Sequence, residues 1–146
     1  VASRCIVEAI AAALQDDSAL ARFAAVDLVS RLEVGAPEGN PLIRRVAELR
    51  AAAAARLGDT SPIVRRAACL VACASLSSSS DSQGFVAGAS ELLRRLRHDT
   101  AFVRVPALGA LERCVLGSST ELPPEKTLER LAALLGQPGV GGLGVR

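Results

Sequence analysis

The side chains of this chain that could carry chemistry are four cysteines and a single histidine. Cys69 and Cys73 are four residues apart, so on a helix they share one face and could provide two thiolates to a metal ion. His98 stands beside Arg97 in a predicted turn, where a solvated side chain is the simpler interpretation. One histidine and no second close cysteine pair leave a zinc site incomplete. We therefore expect small buried thiols in a reducing compartment, with no metal and no cofactor.

Catalysis by a nucleophile finds little support in the sequence. A hydrolytic triad needs a positioned base, and His98 is the only histidine. The glycines near the C-terminus follow a predicted helix, whereas a phosphate-binding loop links a strand to a helix. We predict no catalytic residues. The alternative is a regulatory or catalytic subunit that uses a groove thiol, either Cys114 or the Cys69/Cys73 pair.

The composition favours helices and excludes several classes of protein. Half of the residues are apolar but only three are aromatic, and Ala, Leu and Val dominate the apolar set. Ala and Leu are strong helix formers, and small side chains let helices approach closely. The net charge is only +2 and is spread evenly, which is not typical of a nucleic-acid arm or a membrane-surface helix. The longest uncharged apolar run, residues 67–76, is too short to span a bilayer.

One sequence pattern occurs three times at a spacing of nearly 40 residues. The clearest copy runs from Asp59 to Ala68, and variants of it occupy residues 16–25 and 99–107. The arginines at the same position of each copy stand 43 and 39 residues apart: Arg22, Arg65 and Arg104. A period of about 40 residues is typical of helical hairpins that stack into a solenoid.

Hydrophobic periodicity and helix-breaking residues predict seven helices. Three hairpins cover about 3–34, 41–76 and 86–116, and a last helix covers 125–135. The Gly-rich tail 136–146 is expected to be disordered or extended. The predicted organisation is therefore about three and a half antiparallel hairpins. Since the last helix lacks a partner and the polar outer face of a terminal repeat, we expect a fragment of a longer solenoid.

At these residues the chain resembles the HEAT-repeat family, with armadillo repeats as close relatives. The family pattern places an Asp in a tight turn, then Pro and small residues, then Val-Arg and an Ala-rich helix, and it is matched by Asp59, Pro62, Val64, Arg65 and Ala68. The third copy has one residue fewer between Asp99 and Arg104, and in the first copy Ala21 replaces Val. The resemblance covers about residues 1–135. It implies an all-α, right-handed α-α superhelix, with a ladder of Asp and Arg side chains along the stack.

The resemblance implies that the repeated Asp and Arg side chains tie the turns together. A functional alternative is that four arginines near one rim of the second-helix face receive an acidic partner or a phosphate: Arg22, Arg65, Arg66 and Arg104. We predict a protein–protein interaction scaffold or adaptor, intracellular and either cytoplasmic or nuclear, that works within a larger protein or complex. A peptide or domain would bind the face of the second helices. The predicted partner-binding residues are Arg22, Ile63, Arg65, Arg66, Phe102 and Arg104.

Two arginine clusters raise the alternative of a scaffold associated with nucleic acid. Arg44-Arg45 and the run 94–97 lie on first helices of their hairpins, on the predicted outer side. Glu48 and Glu91 stand at helical spacing from them, so a solvated face with local ion pairs explains the clusters more simply. The absence of Tyr and Trp removes the usual stacking platforms for single strands.

Overall fold

The computed structural model describes residues 2–32, 39–77, 82–116, 130–133 and 136. All regular structure in these ranges is helical, as predicted: α1 Ala2–Ala13, α2 Ala19–Arg31, α3 Pro41–Ala54, α4 Pro62–Ser77, α5 Ser82–His98 and α6 Ala101–Leu116. A 3₁₀ turn, Ala55–Gly58, continues α3. Residues 130–133 form a further helical turn. Most of the predicted last helix and tail lie outside the described residues.

Local capping signals place two of the helix starts. Ser18 is the N-cap of α2, and its side chain accepts a hydrogen bond from the backbone N–H of Ala21. Asn40 does the same for α3 by accepting from the N–H of Leu42 at 2.9 Å, with proline in the first turn. By contrast, α5 begins at Ser82, four residues before the predicted start at Val86.

The helices form three hairpins in two layers. The first helices α1, α3 and α5 form one layer, and the second helices α2, α4 and α6 form the other, in which each contacts the next. Between the layers lies a continuous core whose largest fully buried side chains are Leu14, Val26, Val29, Val64, Cys69, Val71, Leu92, Val103 and Cys114. This arrangement confirms the predicted all-α, HEAT-like solenoid. The apolar faces of the helices become buried when one hairpin stacks on its neighbour.

Pro106 lies inside α6, yet the helix begins at Ala101 and continues through it. The sequence predicts either a late start or a bend here, and the late start is not observed. Proline has no backbone N–H, so the carbonyl of Phe102, four residues earlier, lacks its helical donor. Arg66 of α4 supplies one: its Nη1 donates to the Phe102 carbonyl at 2.9 Å. The same guanidinium stacks 4.5 Å from the centre of the Phe102 ring. A side chain of the preceding hairpin thus compensates for the proline.

Candidate functional site

Arginine–aspartate pairs connect successive turns of the stack. Arg22 near the start of α2 binds the carboxylate of Asp59 through two parallel hydrogen bonds, from Nε at 2.9 Å and from Nη2 at 3.0 Å. Its Nη1 donates to the backbone carbonyls of Asp16 and Asp17, at 2.8 and 2.9 Å. The guanidinium of Arg22 therefore links the turn of its own hairpin to the turn of the next hairpin by hydrogen bonds.

Arg65 repeats this geometry one hairpin further along. Nε and Nη2 donate to Asp99 at 2.8 and 3.0 Å, while Nη1 donates to the carbonyls of Asp59 and Thr60. We call the two pairs, Arg22–Asp59 and Arg65–Asp99, the Arg–Asp ladder. Each ladder arginine uses four of its five N–H donors inside the protein. Such a bidentate fork holds a carboxylate in a fixed orientation.

The environment of the ladder keeps its carboxylates ionised. The side chains of Asp59 and Asp99 are almost completely buried. Burial pushes the pKa of Asp59 upward, but the hydrogen bonds from Arg22 and from the N–H of Ser61, with the nearby positive charges, outweigh it and lower the pKa. Hydrogen bonding from Arg65 is the main cause that lowers the pKa of Asp99. Both aspartates are therefore acceptors at neutral pH.

Two further arginines join the ladder, and sequence reasoning missed their role. Arg56 in the 3₁₀ turn lies 3.4 Å from Asp59 Oδ2. Arg95 in α5 contacts Asp99 at 3.6 Å and Glu91 at 3.2 Å. A signal was present in the sequence, because these arginines precede the two ladder aspartates by three and four residues, a helical spacing. Each ladder aspartate thus receives positive charge from two hairpins.

The predicted partner-binding residues separate into two groups. Arg22 is buried, and Ile63 and Arg65 are partly buried. Exposed side chains belong to Arg66, Phe102 and Arg104. The two ladder arginines hold the turns, which is the structural alternative that the sequence left open. A partner can therefore reach the second group directly.

The second helices expose most of the large apolar side chains. Of the nine such side chains that are exposed among the described residues, seven lie on α2, α4 or α6: Leu20, Leu28, Leu70, Phe102, Val105, Leu108 and Leu116. Leu20, Ile63 and Phe102 occupy the same repeat position, two residues before each repeated arginine. We call these three the apolar row. It runs across the stack from one hairpin to the next.

Three of the four cysteines are buried in the core. Cys69 and Cys114 are fully buried, and Cys5 is exposed. Burial is the main cause that raises the pKa of Cys69, to about 11. A hydrogen bond with Cys73, with burial, raises the pKa of Cys114 well above its ordinary value. Protonated thiols are poor nucleophiles and poor metal ligands. Within the described ranges, no three His, Cys, Asp or Glu side chains converge as a metal site would require.

A pocket of about 630 Å³ opens on the opposite side of the molecule, between α3, its 3₁₀ turn, α4 and α5. Its walls are formed mainly by Ala51, Ala54, Leu57, Ala72, Leu76 and Gly88. The single charged wall residue, Glu91, already pairs with Arg95. The pocket is therefore apolar, with no free polar group among these side chains to orient a ligand.

Three arginines of the predicted outer clusters form ion pairs with carboxylates: Arg44, Arg45 and Arg95. Arg44 and Arg45 both lie within ion-pair distance of Glu48, at 3.3 and 3.6 Å, on the exposed side of α3. Arg95 contacts the ladder aspartate Asp99. No helix in the described part of the chain is long and apolar enough to cross a membrane.

These features define a class of protein, an α-solenoid of stacked helical hairpins whose turns are tied by arginine–aspartate pairs. A family model described as a HEAT repeat associated with sister chromatid cohesion matches residues 4–29 and 39–68, in the first two hairpins. This match over the first two hairpins supports the HEAT-repeat family that the repeated motif predicts. HEAT repeats are helical-repeat modules that mediate protein interactions. No curated protein and no solved structure matches the chain.

Proposed function

We propose that this chain is a protein–protein interaction scaffold that binds a peptide or domain of a partner along its second helices. The observation that carries the proposal is the concentration of exposed large apolar side chains on α2, α4 and α6, seven of the nine in the described residues. A solvent-exposed apolar surface of this kind is typical of an interaction site. A rigid stack supplies that surface without refolding.

The apolar row suggests the shape of the partner. Neighbouring helix axes in such packings lie about 10 Å apart, so the row extends over about 20 Å, the length of about six residues of an extended chain. Between Ile63 and Phe102 lies Arg66, which is exposed and uses one nitrogen on the Phe102 carbonyl. An extended segment with apolar side chains and a carboxylate between them fits this surface best.

A role in binding is also favoured over catalysis by the state of the thiols. Cys69 and Cys114 carry raised pKa values, so at neutral pH their thiols are protonated. The family description names sister chromatid cohesion, and we infer an intracellular setting, nuclear or cytoplasmic, within a multi-subunit complex. The paired outer arginines give the nucleic-acid alternative no specific support.

Site-specific photo-cross-linking tests the proposed face. A photoreactive residue replaces Leu70, which is exposed in the middle of α4. In a control it replaces Ala47, which is exposed on α3, the first helix of the same hairpin. We expect one defined protein to be captured at Leu70 and not at Ala47. Equal capture at both positions would count against the second-helix face.

Affinity measurements with the captured protein then locate the contact. Phe102→Asp places a charge in the apolar row, and Ala47→Asp adds the same charge to the outer face. We expect Phe102→Asp to weaken binding about tenfold or more, because a buried aromatic anchor contributes at least 1.4 kcal/mol in typical interfaces, and Ala47→Asp to leave it unchanged. Unchanged affinity in a folded Phe102→Asp variant would refute the proposed site.

A further inference from the structure

Two buried cysteines meet in the core between α4 and α6. Cys73 of α4 and Cys114 of α6 are 41 residues apart in the chain. The thiol of Cys114 donates a hydrogen bond to the backbone carbonyl of Cys73 at 3.7 Å, and the two side chains also hydrogen-bond with each other. Both residues belong to the buried core, where α4 packs along α6. Their contact therefore involves only residues that the structure describes.

The other two cysteines have different surroundings. Cys69 lies one turn before Cys73 on α4, and its thiol donates to the carbonyl of Arg65 in its own helix at 3.4 Å. Cys5 is exposed on α1, in the first hairpin. Of the four cysteines, Cys73 and Cys114 are thus the pair that two helices bring into contact.

The arrangement of the two thiols suits a disulfide bond, whose S–S length is about 2.05 Å. Thiols that already hydrogen-bond across two packed helices can reach this length by a small movement of their side chains. The helices also hold each sulfur beside the other, which gives each a high effective concentration toward its neighbour. A bond between the two sulfurs is therefore favoured over a bond to an external thiol.

We propose that Cys73 and Cys114 form a redox modification site, at which hydrogen peroxide links α4 to α6 through a disulfide. The peroxide oxidises the Cys73 thiol to a sulfenic acid and releases one water. The Cys114 sulfur then attacks the Cys73 sulfur, the S–O bond breaks, and the hydroxyl leaves with the Cys114 proton as a second water. The two thiols lose two hydrogens, and the peroxide gains them. Two equivalents of an external thiol reverse the reaction.

Exposure sets the order of the two steps. Cys73 is 8% exposed and Cys114 is 0% exposed, so the peroxide reaches Cys73 first and Cys114 acts as the resolving thiol. Burial limits access and disfavours the thiolate, and both effects slow the first step. We therefore expect the link to accumulate under sustained oxidation and to resist external reductants while the chain is folded.

The link changes the stability of the stack. It closes a loop between residues 41 apart in sequence, so it restricts the unfolded chain far more than the folded one. For a chain of this size, the expected rise in Tm is about 10 °C. Because the link joins α4 to α6, it also limits the movement of these two helices relative to each other. This modification does not depend on the partner proposed for the second-helix face.

Oxidation of the folded chain tests this site in a Cys5→Ser background, which prevents links between molecules. The chain contains no methionine and no tryptophan, so added hydrogen peroxide acts mainly on the thiols. Mass spectrometry of unreduced proteolytic fragments should find Cys73 joined to Cys114, with the loss of two hydrogens. Reduction under denaturing conditions, followed by refolding, should return Tm to its starting value.

Two alanine variants in the same background show which thiols are needed. Cys69→Ala removes a buried thiol one turn away on α4, and it should form the same link with the same rise in Tm. Cys73→Ala should show neither. If Cys73→Ala does not fold, fragment mapping of the Cys5→Ser protein still decides. The proposal is overturned if Cys73 and Cys114 stay unlinked in the folded protein, whether reduced or oxidised to sulfinic acid. A Cys69–Cys73 link, or an unchanged Tm after linking, overturns it as well.

Discussion

Replacing the buried ladder aspartate should destabilise the protein far more than replacing its exposed equivalent. Asp59 and Asp16 occupy the same position in successive turns, and both accept a backbone N–H through Oδ1. Only Asp59 is also bound by Arg22, through two hydrogen bonds. The two alanine variants therefore lose the same turn contact, and the difference between them isolates the ladder.

The expected magnitudes follow from these contacts. Loss of a side-chain oxygen that caps a backbone N–H costs about 1 kcal/mol, which is the whole expected effect of Asp16→Ala. Asp59→Ala also removes the carboxylate partner of Arg22, whose guanidinium is almost completely buried. A charge-assisted pair contributes about 2 kcal/mol, so the free energy of unfolding should fall by about 3 kcal/mol in total. For a chain of this size, that is a drop in Tm of about 10 °C.

Urea denaturation monitored by circular dichroism measures the free energy of unfolding of both variants. Asp59→Asn is a useful intermediate, because it keeps the turn contact while it loses the charge. We expect the order of stability to be wild type, Asp16→Ala, Asp59→Asn and Asp59→Ala. Equal destabilisation by the two alanine variants would show that the Arg22 pair contributes nothing, and the account of the ladder given above would be wrong.

Three further predictions concern other contacts. Arg66→Ala should lower the free energy of unfolding by about 1 kcal/mol in the wild type. The loss should be smaller in a Pro106→Ala background, because the restored backbone N–H then donates to the Phe102 carbonyl. If a double-mutant cycle finds that the two losses are additive, this prediction is wrong. The pKa values of the ladder aspartates are lowered in the folded protein, so their contribution to stability is fully present above the pKa of an unfolded Asp, about 3.9. This contribution should be lost as pH falls below that value, and the midpoints of urea denaturation at several pH values would measure the loss. Cys5 should react with a maleimide in the native protein and Cys69 only after unfolding; equal rates would exclude the described burial.

Much of the fold could be predicted because its signals are local or periodic. Ser18 and Asn40 mark helix starts through their own side chains, and the repeat spacing determines the stack. The start of α5 at Ser82 was missed, because the polar run before it carries no strong local signal. The repeated Asp and Arg were recognised, and the resemblance implied that successive repeats pair them.

The finer contacts of the site could not be predicted, because they join residues far apart in the chain. Whether an arginine reaches the aspartate of the next repeat or of the preceding one depends on how the hairpins stack: Arg22 and Asp59 are 37 residues apart. Pro106 was judged by local rules, and its compensation comes from Arg66, a side chain on another helix. Leu108 is exposed on α6, although the residues at the same repeat position of the two earlier hairpins, Val26 and Cys69, are buried.

The pocket between α3 and α5 has a mechanical consequence. On that side the helices are separated by a space walled mainly with alanine, glycine and leucine, while on the other side α2 contacts α4 and α4 contacts α6. Because space already exists on that side, the first helices can approach one another there before their side chains collide, whereas the close-packed second helices cannot approach further without overlap. We therefore expect the stack to bend more readily toward the layer of first helices than toward the layer of second helices.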